Sequence, residues 1–378
     1  MEHALLVVGD TLRTNPLILS YLRKNYISHF HEEGDTFYAS RNDTKLLLFL
    51  EDLMHRYNTL TIAATKESVH LVGKVLSTLT QDALVLQNGA LAPSKAIKTA
   101  NESYTLMHNE KYINVLNTSF GGSIPPILSP VQIEHCVFNL VGLDTQTCQI
   151  LLEPLAQPFD VVLHITPWVE GLVRIEAKAQ KYGGLEQFLK SVYSLFSDKF
   201  FLGNNPMNHI VTSLSNHKKL ISCAESCTGG LIVSLLTTIA GASNCIEGSI
   251  VSYSNEIKKS WLGVEEDTLD TYGAVSEACI KEMLLGALSA SKADIALATS
   301  GVAGPDGGSK DKPVGTVFIG VGDTKKGLVT ERLLLKGDRE AIQTQSAYHV
   351  FRLLFQTYPE LFFNSNNSLY SRQYKEKP

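Results

Sequence analysis

Apolar residues recur along this chain in two alternating spacings. The first run, HALLVVG, is a short unbroken block ending on Gly-Asp, and the next, NPLILSYLRKN, repeats its apolar positions at helical intervals. That order predicts a strand, a loop and a helix. TKLLLFLEDLMHRY then reads as a helix, NTLTIAA as a strand and KESVHLVGKVLSTL as a helix. Such alternation builds a parallel sheet covered by helices, so a Rossmann-like N-terminal domain is expected. From about Asn114 the apolar pieces shorten and are broken by NTSFGGSIPP, a loop signal. CVFNLVGL and DVVLHITPWVEGLVRIEAKA read as strands, and KYGGL leads into the amphipathic helix LEQFLKSVYSLF.

The segment FLGNNPMN, rich in Gly, Asn and Pro, is the clearest inter-domain boundary. After it come a helix (HIVTSLSNHK), a strand (LISCA), a helix opening near Thr228, a strand (GSIVSYS) and a helix (SEACIKEMLLGALSAS). A strand (DIALATS), two more (KPVGTVFIGVG and LVTERLLLK) and a closing helix (DREAIQTQSAYHVFRLLFQ) complete the order. The fold class is therefore α/β, with three-layer α/β/α domains and a small α+β linker domain between them. The expected divisions are 1–157 for the Rossmann-like domain, 158–205 for the linker, 206–360 for the C-terminal α/β domain and 361–378 for a polar tail. A length of 378 residues, too great for one ordinary core, agrees with that division.

A formal net charge of −5 argues against a general polyanion binder, so nucleic acid is not an expected partner. The start MEHALLVVGD lacks the cationic opening of a signal peptide, and no apolar stretch is long enough to cross a bilayer. A soluble, cytoplasmic protein without a membrane partner is expected. The six cysteines sit mostly in apolar segments and read as free buried thiols. Cys223 and Cys227 are close, but without a second Cys/His pair no zinc site follows, and no metal is expected. His29, His31, Glu32 and Glu33 are close in sequence and are read as a solvated loop rather than ligands.

Four pieces carry candidate chemistry. ISCAESCTGGLIVSLL sets Ser226 between the end of a strand and the start of a helix, where ligands bind in open α/β sheets and unpaired N–H groups collect. An ordinary Ser/Thr helix cap packed by Gly229 and Gly230 is the plain alternative. GSIVSYSNEIKKSWLGV delivers Tyr253, Asn255 and Lys258 at a strand's end; one of the adjacent Lys258 and Lys259 must turn inward, and a buried lysine can act as a base. Two solvated lysines are the alternative. ATSGVAGPDGGSKDKPVG follows another strand with Ser300, Gly301, Gly304, Asp306, Gly307 and Gly308, a loop able to wrap an anion or merely a long connection. KGDREAIQ puts Arg339 in the first turn of the last helix, where the dipole gives a cation no stability and an anionic ligand would.

With AESCTGG, GSIVSYSNEIK, YGAVSEA, TSGVAGPDGGS with KPVGTV, and KGDRE in order over about 150 residues, the C-terminal part resembles the CinA C-terminal domain family, which includes nicotinamide-mononucleotide deamidases. The resemblance implies an amidohydrolase of the pyridine nucleotide cycle that converts nicotinamide mononucleotide to the acid and ammonia, needing no metal or other cofactor. It further implies Ser226 as nucleophile, Lys258 as its base and Tyr253 as a third catalytic group. Glu225, Cys227, Thr228, Gly229, Gly230, Asn255, Ser300, Gly301, Gly304, Asp306, Gly307, Gly308 and Arg339 then form the substrate-binding set. Cys227 is an alternative nucleophile. A homodimer is implied too.

The N-terminal half resembles, more faintly, the molybdopterin-binding-like domain of full-length CinA proteins, through VVGD with Asn15, NTSFGGSIPP and NLVGL. Relatives carry a Gly-rich loop and paired aspartates after the third strand, associated with a metal-dependent ADP-ribose pyrophosphatase. Here that place reads Ala63-Ala64-Thr65-Lys66-Glu67, so that activity is expected to be lost. The reading from a different class is a non-catalytic nucleotide-binding or interaction protein linked to competence or recombination.

Overall fold

The structure is a computed structural model, and it describes residues 3–30, 33–119, 121–130, 135–180 and 183–363. Two compact units divide at Ile133/Glu134. The first contains β1 (His3–Val8), α1 (Asp10–Thr14), α2 (Pro16–Phe30), β2 (Asp35–Ala39), α3 (Leu46–Arg56), β3 (Thr59–Thr65) and α4 (Val69–Thr80). After these come β4 (Leu84–Gln87), β5 (Ala90–Pro93), β6 (Lys98–Ala100), β7 (Ser103–His108) and β8 (Lys111–Thr118).

Its six-stranded sheet has the order β2-β1-β3-β8-β7-β6. β2, β1, β3 and β8 run parallel, and β7 and β6 are antiparallel additions. Side chains alternate across a strand, and here the alternation sorts neighbours into separate cores. Leu6, Val8, Ile62 and Ala64 pack with Leu50 and Leu53 of α3 and Leu76 of α4, whereas Leu5, Val7 and Ala63 pack with Leu12, Leu22 and Tyr26 of α1 and α2. The Rossmann-like expectation holds for this unit. His29 lies in α2, not in a loop, with its ring nitrogen 2.9 Å from the Ser129 carbonyl; His31 and Glu32 fall outside the described residues. Among the described residues no group of three His, Cys, Asp or Glu could hold a metal.

The second unit opens with β9 (His135–Val141), α5 (Thr145–Ala156), β10 (Val161–Val169), β11 (Leu172–Ala179), α6 (Leu185–Phe196) and β12 (Phe200–Leu202). These form a sheet of order β10-β11-β9-β12. The expected boundary at 157/158 therefore moves: β9 is paired to β11 along its whole length, and Cys148 and Leu152 of α5 share a core with Phe188 of α6. The strand was read from its own pattern, but its domain could not be, because its pairing partners in β11 lie more than thirty residues downstream.

The same unit continues through α7 (Pro206–Asn216), β13 (Ile221–Glu225), α8 (Leu231–Thr237), β14 (Ile246–Val251), α9 (Asn255–Leu262), α10 (Glu266–Tyr272) and α11 (Glu277–Ser291). It ends with β15 (Ile295–Gly301), β16 (Thr316–Asp323), β17 (Gly327–Leu334), α12 (Arg339–Thr357) and α13 (Pro359–Phe362). The sheet order is β14-β13-β15-β16-β17, with β14, β13 and β15 parallel. Cys223 and Leu297 face a core shared with α7, α8 and α12; Ala224, Ala296 and Ala298 face Ile280, Met283 and Leu284 of α11. That is the expected three-layer arrangement. Of the six free cysteines, all but the half-buried Cys136 are buried. No helix among the described residues is long and apolar enough to cross a membrane.

Candidate active site

The parallel strands β13, β14 and β15 end together, and the chemistry-bearing segments leave from those ends. Ser226 directly follows β13. Its N–H donates to the Thr299 carbonyl at 3.0 Å, and its side chain is buried. Lys258 comes from α9, whose N-cap Ser254 accepts from the Ile257 N–H at 3.2 Å. Lys258 and Leu262, four apart, form the buried face of that helix, while Lys259 turns out to Glu266.

Lys258 Nζ lies 3.0 Å from Ser226 Oγ and 2.6 Å from the Ser252 carbonyl. Only 1% of the lysine is exposed, and among the described residues it forms no ion pair with a carboxylate. Burial holds its ammonium below the ordinary lysine pKa, partly opposed by the neighbouring Cys279 and Cys227 thiols. A neutral amine has two protons and one lone pair. It can donate to the Ser252 carbonyl and accept the Ser226 hydroxyl proton with the lone pair, so the pair is arranged for proton transfer.

The backbone donors of the Ser226 turn are not all paired. Gly229 N–H donates to the Ser226 carbonyl, Leu231 N–H to the Thr228 carbonyl, and Gly230, Ile232 and Val233 N–H to the Glu225 carboxylate. Among the described residues the Thr228 N–H has no acceptor, and the Cys227 N–H meets only its own thiol sulfur, a weak acceptor. Buried backbone donors are nearly always satisfied, so two adjacent N–H groups without a strong acceptor beside the Ser226 hydroxyl are suited to hold an oxyanion. Gly229 adopts φ +62°, and a side chain there would meet nothing within 4 Å, so the approach to the turn is open.

Three residues of the expected substrate-binding set face inward instead. Glu225 is fully buried; besides the three N–H groups it accepts from Thr228 Oγ1 at 2.8 Å and Ser249 Oγ at 3.1 Å. With five donors converging on it, its carboxylate is a strut for the start of α8 and has no capacity left for a ligand. Thr228 is committed to Glu225 and to Thr299 Oγ1, 2.7 Å away. Ser300 donates to the Ala274 carbonyl at 2.7 Å. Gly301 serves packing, since a Cβ there would sit 2.7 Å from Val317. The Cys227 thiol is buried and its pKa is pushed up to about 12, which removes its advantage as a nucleophile.

Arg339, Tyr253 and Gly304 are brought together. Arg339 donates from Nη1 to the Gly304 carbonyl and from Nη2 to Tyr253 Oη, both at 2.7 Å. Tyr253 is 63% exposed, so this clasp lies at the surface. Asn255, Asp306, Gly307 and Gly308 are exposed and make no side-chain hydrogen bond among the described residues. The sequence reading missed Ser252, Thr299 and Gln343. Ser252 holds Lys258 through its carbonyl and Thr299 holds Ser226 through its own, to which residue type gives no clue, although Thr299 also meets Thr228 through its hydroxyl. Gln343, four residues after Arg339 and so on its face of α12, was visible in principle.

The C-terminal geometry has relatives. A family model described as "CinA C-terminal domain" matches residues 204–358. "Nicotinamide-nucleotide amidohydrolase PncC" of Enterobacter agglomerans is 51% identical over 127 residues, covering 34% of this chain and 77% of that protein. The chain belongs to the CinA family. PncC of Escherichia coli K12 is 45% identical over 138 residues, 36% of this CinA-family chain and 84% of that protein. A "CinA-like protein" of Thermotoga neapolitana is 42% identical over 182 residues, but the match spans only 44% of that relative's length and 47% of this chain. The crystal structure of competence/damage inducible protein CihA from Agrobacterium tumefaciens is 36% identical, covering 40% of this chain and 93% of that one at a TM-score of 0.40.

Proposed function

We propose that the C-terminal domain is an amidohydrolase that converts nicotinamide mononucleotide to nicotinate mononucleotide and ammonia by a Ser/Lys mechanism. The observation that carries this reading is the buried Lys258 amine 3.0 Å from Ser226 Oγ, with no carboxylate among the described residues paired to it to hold it charged. The amine takes the serine proton as Oγ attacks the carboxamide carbon. The tetrahedral oxygen is held by the Cys227 and Thr228 N–H groups. Lys258 returns the proton to the leaving nitrogen, ammonia departs and an acyl-serine remains. Water then attacks the ester, giving its proton to Lys258, and collapse frees the acid and restores both side chains. Arg339 meets the substrate phosphate, with Tyr253 and Asn255 beside it.

In the N-terminal unit, Ala63 and Ala64 are buried within β3 and Thr65 Oγ1 bonds Ser68 Oγ at 2.9 Å. The turn is closed on itself and offers no carboxylate pair for a divalent ion, which supports the loss of ADP-ribose pyrophosphatase chemistry.

The test is incubation of the full chain, without added metal, with nicotinamide mononucleotide, following ammonia and the acid product. Wild type should form both and Ser226→Ala neither. An active, folded Ser226→Ala protein would sink the mechanism.

A further inference from the structure

We propose that Gln343 is a positioning residue that locks the oxyanion-binding peptide of the Ser226 turn. The proposal rests on the amidohydrolase reading above. A trans peptide is planar, so its carbonyl and N–H point in opposite directions. The peptide joining Cys227 to Thr228 carries the Thr228 N–H on one side. On its other side, the Cys227 carbonyl accepts from Gln343 Nε2 at 2.7 Å. Fixing the carbonyl fixes the direction of the Thr228 N–H.

The rest of the turn is held by other means, which isolates what Gln343 does. Ser226 N–H is held by Thr299 and Gly230 N–H by Glu225, while the peptide between has no other hydrogen bond among the described residues. The Cys227 and Thr228 side chains are buried, and Thr228 Oγ1 is tied to Glu225 and Thr299, but Gly229 follows at φ +62° with open space around it, so the peptide plane itself has Gln343 as its hydrogen-bonded anchor. A flipped peptide would present a carbonyl to the reacting oxygen and take away a donor. Nor does α12 need Gln343 for its own integrity: Asp338 caps the helix, and Ile342, Ala347 and Val350 bury its inner face. Gln343 touches neither Ser226 nor Lys258. It acts through the backbone that it grips.

Gln343→Leu and Gln343→Glu each remove the donor at neutral pH, the second without changing shape. In the full chain, kcat for nicotinamide mononucleotide should fall about 10- to 100-fold in both, less than the roughly 100- to 1,000-fold cost of deleting an oxyanion donor outright, because the released peptide still presents its N–H part of the time. KM should stay within about twofold, as should the dissociation constant of nicotinamide mononucleotide measured with each change placed on Ser226→Ala. A protonated glutamic acid donates again, so kcat of Gln343→Glu relative to wild type should climb as pH falls toward about 4.5. A structural role would not give that climb, and the isosteric variant decides the matter even where the leucine variant misfolds. Variants with wild-type kcat, a loss matched by weakened binding, or a flat ratio would overturn the proposal while leaving the Ser/Lys reading intact. Absence of product from wild type would overturn both.

Discussion

Replacing Glu225 by glutamine changes one atom and should cost the C-terminal domain a large part of its stability. In the native site Oε2 accepts from Gly230 N–H, Ile232 N–H and Thr228 Oγ1, and Oε1 accepts from Val233 N–H and Ser249 Oγ. A glutamine keeps its oxygen where three donors meet and puts its NH2 at the Oε1 position. Ser249 can rotate its hydroxyl and accept, but Val233 N–H then faces another donor. Leaving that N–H unpaired costs about 1–3 kcal/mol, and turning three charge-assisted bonds into neutral ones costs roughly 1 kcal/mol each. Loss of negative charge at the start of α8 adds up to about 1 kcal/mol. The sum, about 4–7 kcal/mol, rivals the whole stability of many domains. Both tryptophans, Trp168 and Trp261, lie in the second unit, so urea denaturation followed by intrinsic fluorescence reads that unit. A shift below about 1 kcal/mol would refute the strut and return Glu225 to the list of groups able to meet a ligand.

Two further outcomes are expected. Because burial lowers the Lys258 pKa and only the neutral amine can accept a proton, kcat/KM should rise with pH and level off below the ordinary lysine value of 10.5; a pH-independent rate from neutrality down to pH 5 would contradict a lysine base. Gly286→Ala, which gains about 1 kcal/mol in an exposed helix, should here destabilise by about 1–3 kcal/mol and lower kcat, because its Cβ would lie 2.0 Å from the Leu262 carbonyl and push α9 with Lys258 aside. Thermal melting beside the ammonia assay checks it, and an alanine variant with raised Tm and full activity would contradict it.

The C-terminal order of strands and helices was legible because each element carries its own period and its own stop signal. Ser254 before α9, Ser276 before α11 and Asp338 before α12 each cap their helix through a side chain. The stretch from Leu84 to Thr118 was not assigned: β4 to β7 are short and pair with near neighbours, and the longer β8 takes its place in the sheet from β3, far upstream. Asn88-Gly89 between β4 and β5, both at positive φ, was the hairpin signal available there. At the site, Ser226 and Lys258 could be named because their chemistry is in the side chain. Glu225 could not be distinguished from a ligand contact, since a buried strut and an exposed carboxylate look alike in sequence. The N–H groups of Cys227 and Thr228 belong to the backbone, and only the hydrogen bonds of their neighbours reveal them.

The nineteen residues of α12 hold two sets of contacts at a fixed spacing. Near its start, Arg339 and Gln343 grip the Gly304 and Cys227 carbonyls; farther along, Tyr348 stacks on Trp168 at 5.2 Å and Arg352 pairs with Glu331. An α-helix turns about 100° and advances about 1.5 Å per residue. The two grips are therefore set in phase by the count of residues between them. One residue inserted between Gln343 and Tyr348 would swing one grip about 100° around the axis relative to the other, and one of them must let go. The helix thus behaves as a keyed shaft: with His349 to Phe355 buried on every side and a grip at each end, it admits no change in length between them.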